Sequence, residues 1–214
     1  MNKKVIKQGI VKIVLYFLIT VIVSAVLTLC KVDMKITLYA STIVATLFVI
    51  KSSKINLLKE LKKFKKEYFK NMIPYYLIGL SLMIFTNFLI TLINGGAMAP
   101  NEQANRDIIL NYKTYSIIST IFLAPIAEEI LFRGNFKNLS KNKNTFILAT
   151  GLLFGFCHIL IKPSLFAILY IVPYSILGMA LGKIYKECDN NIWANLFTHM
   201  FHNILAISLI FIGM

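Results

Sequence analysis

The sequence predicts an all-α fold, a polytopic transmembrane bundle of about seven helices, and three observations carry that expectation. Hydrophobic residues make up 57% of the 214, mean hydropathy is +0.72, and charged residues are only 15%. A soluble domain of this size cannot cover so much apolar side chain, whereas a bilayer accepts it. The apolar residues also fall in runs long enough to cross about 30 Å of hydrocarbon, with lysines clustered between them.

The runs are approximately 10–30, 36–50, 71–93, 115–136, 145–161, 164–184 and 192–213, each bounded by charge, Gly, Asn or Pro. The first is too long for a signal peptide and lacks a small-residue cleavage site, so it is expected to stay as an anchor. No internal repeat or soluble domain stands out. The whole chain, 1–214, reads as one integral membrane domain, with its chemistry concentrated in a core at about 115–213.

A net charge of +14 raises nucleic acid as a partner, but the lysines sit at the ends of apolar segments. Anionic lipid head groups and membrane orientation account for them there, so membrane lipids are the expected partner and nucleic acid is not. Eighteen Lys and Arg fall on the side of the N-terminus: Lys3 to Lys12, Lys51 to Lys70, Arg133 to Lys143, and Lys183 with Lys186. Five fall on the other: Lys31, Lys35, Arg106, Lys113 and Lys162. The positive-inside rule then predicts a cell-membrane protein with a cytoplasmic N-terminus and, after seven crossings, an external C-terminus.

Two connections are long. Lys51–Lys70 sets Ile55, Leu58, Leu61 and Phe64 at helical spacing opposite lysines, the pattern either of an interfacial helix on anionic lipid or of a solvated basic loop. Residues 94–114, rich in Gly and Asn, suit an external loop capping a cavity. The three cysteines, Cys30, Cys157 and Cys188, have no framework spacing, and Cys157 beside His158 points about 100° away from it on a helix, which favours packing over a Cys/His pair.

Seven of the nine acidic residues lie in loops or at helix ends; Glu128 and Glu129 lie inside an apolar run, IFLAPIAEEILFRG. A charge near a helix centre costs roughly 2.5–3.5 kcal/mol on the insertion scale, so two together require partners or a function. Glu129 and Arg133 are four residues apart, about 40° around the axis and within pairing reach, while Glu128 lies about 140° from Arg133. Glu129 is therefore the paired carboxylate and Glu128 the free one.

All three histidines, His158, His199 and His202, also fall in predicted membrane helices. With two carboxylates beside them they read as a site rather than as packing. His199 and Asn203 share a face, able to hold water or an oxyanion, although Asn203 also suits interhelical hydrogen bonding; His202 is offset by about 60°. Glu128 and His199 each come out roughly 10 Å from the cytoplasmic boundary, but His158 roughly 20 Å, which calls for a fifth helix that is tilted, starts deeper or has its boundary elsewhere.

The string EEILFR, followed by FGFCH (Phe154 to His158) and HMFHN (His199 to Asn203), resembles the EExxxR, FxxxH and HxxxN motifs of the CAAX-protease and bacteriocin-processing (CPBP) family. The resemblance covers about the last hundred residues and implies an all-helical membrane protease. It implies that Glu128 activates water, Glu129 and Arg133 support it, His158 assists, and His199 with Asn203 stabilise the tetrahedral oxyanion. His202 lies outside the motifs.

Residue chemistry alone allows the same reaction: a glutamate in low dielectric takes a proton from water, and a histidine holds that water and later protonates the leaving amine. No GxSxG or HExxH accompanies it. Glu128, His158 and His199 also make up a ligand set that zinc accepts, yet a glutamate and histidine activate water without metal, so zinc is a candidate cofactor and none is fixed. The expected substrate is a hydrophobic peptide or a membrane-protein segment. Two rival readings are a non-catalytic membrane immunity or regulatory protein and a transporter; the missing repeat argues against the second.

Overall fold

In the computed structural model, which describes residues 1–160 and 166–213, each of the seven apolar runs becomes a helix. α1 (Lys3–Leu29) and α2 (Met34–Ser53) form a hairpin. Lys31 turns the chain at a φ of 57°, and the Asp33 carboxylate caps α2 by accepting from the Lys35 and Ile36 amides. After the short α3 (Leu57–Leu61) come α4 (Phe69–Ile93) and α5 (Pro100–Asn111). The fourth long helix, Lys113–Gly134, is compound: α6 (Lys113–Ile118), a π turn at Ser119–Leu123, α7 (Ala124–Glu129) and a second π turn at Ile130–Gly134. α8 (Lys143–Ile159), α9 (Ile171–Glu187) and α10 (Ile192–Ile212) complete the bundle.

Among the described residues, six helices are long and apolar enough to cross a membrane. α8, at 17 residues, is the shorter seventh, about 25 Å long. The protein is a multi-pass membrane protein, and its outer surface shows it. α1 buries only Gly9 and Ile13 and exposes Val14, Leu18, Val21 and Ile22, as lipid-facing helices do. Lys162 and the junction between the fifth and sixth runs lie outside the described residues.

The lysine-rich ends share one end of the bundle. Asn2 N–H donates to the Leu139 carbonyl, Lys12 to Asn135, Lys65 to Asp189 and Lys143 to Glu187. Lys51–Lys70 is not one amphipathic helix, however. Lys54 adopts a left-handed conformation (φ 59°) that ends α2, and Asn56 caps a helix of only five residues. Ile55 and Leu57 then turn onto the protein core, pinned by Trp193 Nε1–H donating to the Leu57 carbonyl at 2.7 Å, while Leu58 and Leu61 stay exposed. The other long connection, 94–114, contains a helix, α5, which Pro100 starts at the position where a missing N–H costs nothing. Tyr170 Oη–H donates to the Ala97 carbonyl just before it.

Small residues let α8 and α9 touch along their backbones, the usual packing device where no hydrophobic force drives helices together. Gly151 and Gly155 on α8 face Gly178, Gly182 and Ser175 on α9. A Cβ on Gly155 would lie 2.7 Å from the Ile171 carbonyl oxygen and 2.8 Å from the Ser175 amide, whereas at Gly182 the nearest atom would be 3.3 Å away. Gly155→Ala is expected to destabilise by about 1–3 kcal/mol, the cost of overpacking against backbone, and Gly182→Ala by distinctly less. Thermal unfolding of the two purified variants in one detergent checks the order; equal losses would refute the close crossing.

Candidate active site

Glu129 sits at the end of α7, fully buried, and every polar group around it points at its carboxylate. Arg133 Nη1 donates to Oε1 at 3.2 Å across one helical turn. From α10, Asn195 Nδ2 donates to Oε2 at 2.9 Å and to the Leu181 carbonyl at 2.8 Å. His199 Nδ1 lies 2.8 Å from Oε1 and donates there, since an ionised carboxylate only accepts. Arg133, also fully buried, spends Nη2 on the Gly178 carbonyl at 2.8 Å and rests its guanidinium 5.0 Å from the Phe154 ring centre. The expected pairing of Glu129 with Arg133 is present, and it extends to α8, α9 and α10.

Glu128 turns away from Arg133 and faces the histidines. Its Oε2 lies 3.9 Å from His158 Nε2 and 3.8 Å from His199 Nε2 and has no hydrogen-bond partner among the described residues. His158 lies deeper along α8 than the other two, and its side chain makes up the difference. Helical Cβ atoms lean toward the N-terminus, and His158 Nδ1 bonds the Phe154 carbonyl one turn back at 2.8 Å, folding the ring onto Phe154. Tyr174 stacks on the other face of that imidazole, centroids 4.9 Å apart, and accepts from Asn101 Nδ2 of α5.

Asn203 is placed by a backbone irregularity. In the first π turn the Ala124 amide reaches back five residues to Ser119, and Pro125, the next residue, has no N–H. The Thr120 carbonyl is thereby left without a helical donor, and Asn203 Nδ2 donates to it at 2.7 Å. His202 lines the same cavity but is turned to α4, its Nδ1 3.3 Å from Tyr76 Oη. A cavity of about 550 Å³ reaches both His158 and His199 and is walled by Leu80 and Met83 of α4, Ile109 of α5 and Leu177 of α9. Cys157 is buried in the apolar core next to Phe154, consistent with packing.

Asn195 escapes the motif reading. The signal for it is its spacing: Asn195, His199 and Asn203 recur every four residues and so form one polar stripe on an apolar helix. Zinc does not fit the trio as placed. Zinc–ligand bonds of about 2.0–2.2 Å set tetrahedral ligands about 3.4 Å apart, closer than 3.8 and 3.9 Å, and among the described residues no group of three His, Cys, Asp or Glu could hold a metal ion.

Residues 110–205, which contain all three motifs, match the family model described as Rce1-like, type II CAAX prenyl endopeptidase. The C-terminal part of the chain is similar to the CPBP family, both in its motifs and in this match. Over 172 residues the chain is also 30% identical to an uncharacterized protein of Mycoplasma capricolum subsp. capricolum, covering 74% of this chain and 50% of that one. The chain thus spans about half the length of the curated relative it matches. No solved structure matches it.

Breaking the buried pair by Arg133→Met is expected to cost about 3–5 kcal/mol, because Glu129 keeps a charge without its cation. Adding Glu129→Gln removes that charge, so the double variant should lose less than the two single losses summed. Unfolding temperature and folded yield in detergent measure this cycle, and strict additivity would show that the two residues are energetically independent.

Proposed function

We propose that this chain is an intramembrane endopeptidase that hydrolyses a peptide bond in a membrane-associated or hydrophobic peptide, using water activated at Glu128. The observation that carries the reading is a convergence of acceptors. His158 and His199 each commit Nδ1–H, to a carbonyl and to a carboxylate, so in their neutral forms both Nε2 atoms are bare acceptors. They face the unpartnered Glu128 Oε2 at 3.9 and 3.8 Å, and three acceptors hold together only around a proton donor. Two hydrogen bonds of about 2.8 Å meeting near a right angle span about 4 Å, so a water fits between them.

In the proposed mechanism Glu128 takes a proton from this water as its oxygen attacks the peptide carbonyl carbon. His158 orients the water, held in place by Phe154 and Tyr174. The oxyanion accepts from the second N–H of Asn203, and His199, its Nδ1–H held by Glu129, helps His158 hold the water. The proton held by Glu128 passes to the leaving amine as the C–N bond breaks. Glu129, Arg133 and Asn195 fix the rotamer of His199 without touching substrate. The cavity, within the roughly 300–1,000 Å³ of ordinary ligand sites, receives the apolar side chains flanking the cleaved bond.

Two tests apply. Glu128→Gln keeps size and hydrogen bonding but cannot take the proton, so cleavage of a hydrophobic peptide panel should fall roughly 10²-fold or more. His158→Ala and His199→Ala should fall similarly, and His202→Ala much less. Retained cleavage in well-folded Glu128→Gln would end the mechanism; lost cleavage with an unchanged cellular phenotype would move the biological role to binding. For orientation, the lysine asymmetry and the shared lysine-rich end support a cytoplasmic N-terminus and an external C-terminus. A topology reporter after Met214 should read external and one near Lys143 cytoplasmic, and the reverse at both sites would invert the protein.

A further inference from the structure

A second pocket, of about 430 Å³, lies at the lysine-rich end, on the far side of the Glu129 network from the first cavity. Three separate elements build it: Lys54, Asn56, Lys59 and Lys63 of the α2–α3 segment, Gly134 at the end of the second π turn with Lys137 beyond it, and Asn190 with Ile192 where α10 begins. Tyr185 adds a buried wall. The connection that carries the lysines is anchored, since Trp193 donates to the Leu57 carbonyl and Asn191 Nδ2 to the Glu60 carbonyl at 3.0 Å.

Its charge is uncompensated. The one carboxylate in the lining, Glu60, is paired with Lys63. Lys54, Lys59 and Lys137 make no ion pair and no side-chain hydrogen bond among the described residues. Ammonium groups brought from two elements to the lining of one pocket repel unless an anion is shared between them. The depth identifies the anion. Lys54 directly follows α2, Gly134 ends the fourth long helix, and Ile192 opens α10, so the pocket sits where three spans leave the hydrocarbon. Beside it α3 exposes Leu58 (73%) and Leu61 (38%), apolar side chains suited to the acyl boundary and not to a solvated loop.

We propose that this pocket binds the phosphate of an anionic phospholipid, with Lys54, Lys59 and Lys137 as its ligands. Bound there, the phosphate ties the segment just after Arg133 to the α2–α3 connection, which Asn191 and Trp193 fasten to the start of the helix that carries Asn195 and His199, and so braces the Glu129 network from the membrane surface. The binding claim stands independently of the protease reading.

The test uses the full chain in a neutral detergent. Phosphatidylglycerol, against phosphatidylcholine at equal concentration, should raise the unfolding temperature and remain attached in native mass spectrometry. Lys54→Gln/Lys59→Gln/Lys137→Gln should weaken phosphatidylglycerol binding roughly 10-fold or more, whereas Lys3→Gln/Lys4→Gln/Lys7→Gln, with the same loss of charge, should bind as the parent does. If the triple pocket variant does not fold, Lys59→Glu, on an exposed position of α3, makes the same comparison. Equal losses in pocket and control variants, or equal effects of the two lipids, would overturn the site. Inorganic phosphate that stabilises the parent as well as phosphatidylglycerol does, and displaces it, would assign the pocket to a soluble phosphate and overturn the lipid assignment.

Discussion

A fully buried carboxylate inside a membrane bundle is the constraint around which this protein is arranged. Glu129 cannot shed its charge into water, and hydrocarbon offers it nothing, so its solvation must be supplied by side chains. Arg133 comes from its own helix, and Asn195 and His199 from α10, while Arg133 in turn takes a carbonyl from α9. Removing any one of these leaves another buried group without a partner, which is why one ionic centre can fix the relative positions of three helices. Such a network specifies geometry more than it adds stability.

The remaining precision is supplied by backbone. Glycines on α8 and α9 bring those helices close enough for Phe154 to meet both Arg133 and His158, and the fold of His158 onto Phe154 shortens a depth mismatch that straight helices would leave. A π turn ahead of a proline frees the Thr120 carbonyl, and that carbonyl holds Asn203. Two of the backbone irregularities, the π turns at Ser119–Leu123 and Ile130–Gly134, flank the short α7 that carries Glu128, where a regular helix would not present its side chains the same way.

Much of this was legible in the sequence because a bilayer imposes simple rules. Apolar runs located the helices, and two charges in an apolar run pointed to the candidate site, since hydrocarbon makes such residues costly without a partner. The four-residue spacing separated the paired Glu129 from the free Glu128. Elements outside the hydrocarbon were harder to read. Residues 94–114 contain a helix because Pro100 and tertiary contacts from Tyr170 and Tyr174 outweigh an Asn-rich composition, and the periodicity of Lys51–Lys70 was overridden by a left-handed Lys54. Asn195 was overlooked because a lone asparagine in an apolar helix gives no sign of its partner until helices are placed together.

The order of the partners along the chain bears on biosynthesis. Glu129 leaves the ribosome 66 residues before Asn195 and 70 before His199, so the fourth long helix has to enter the membrane while two of the three partners of its carboxylate do not yet exist. An arginine one turn away on the same helix neutralises the glutamate in the interim, giving the segment an internal counter-ion that travels with it through the insertion machinery. Only when α10 arrives is that provisional pairing converted into the finished network, so assembly of the candidate site waits for that helix, and a molecule truncated before α10 lacks two of the groups that fasten it.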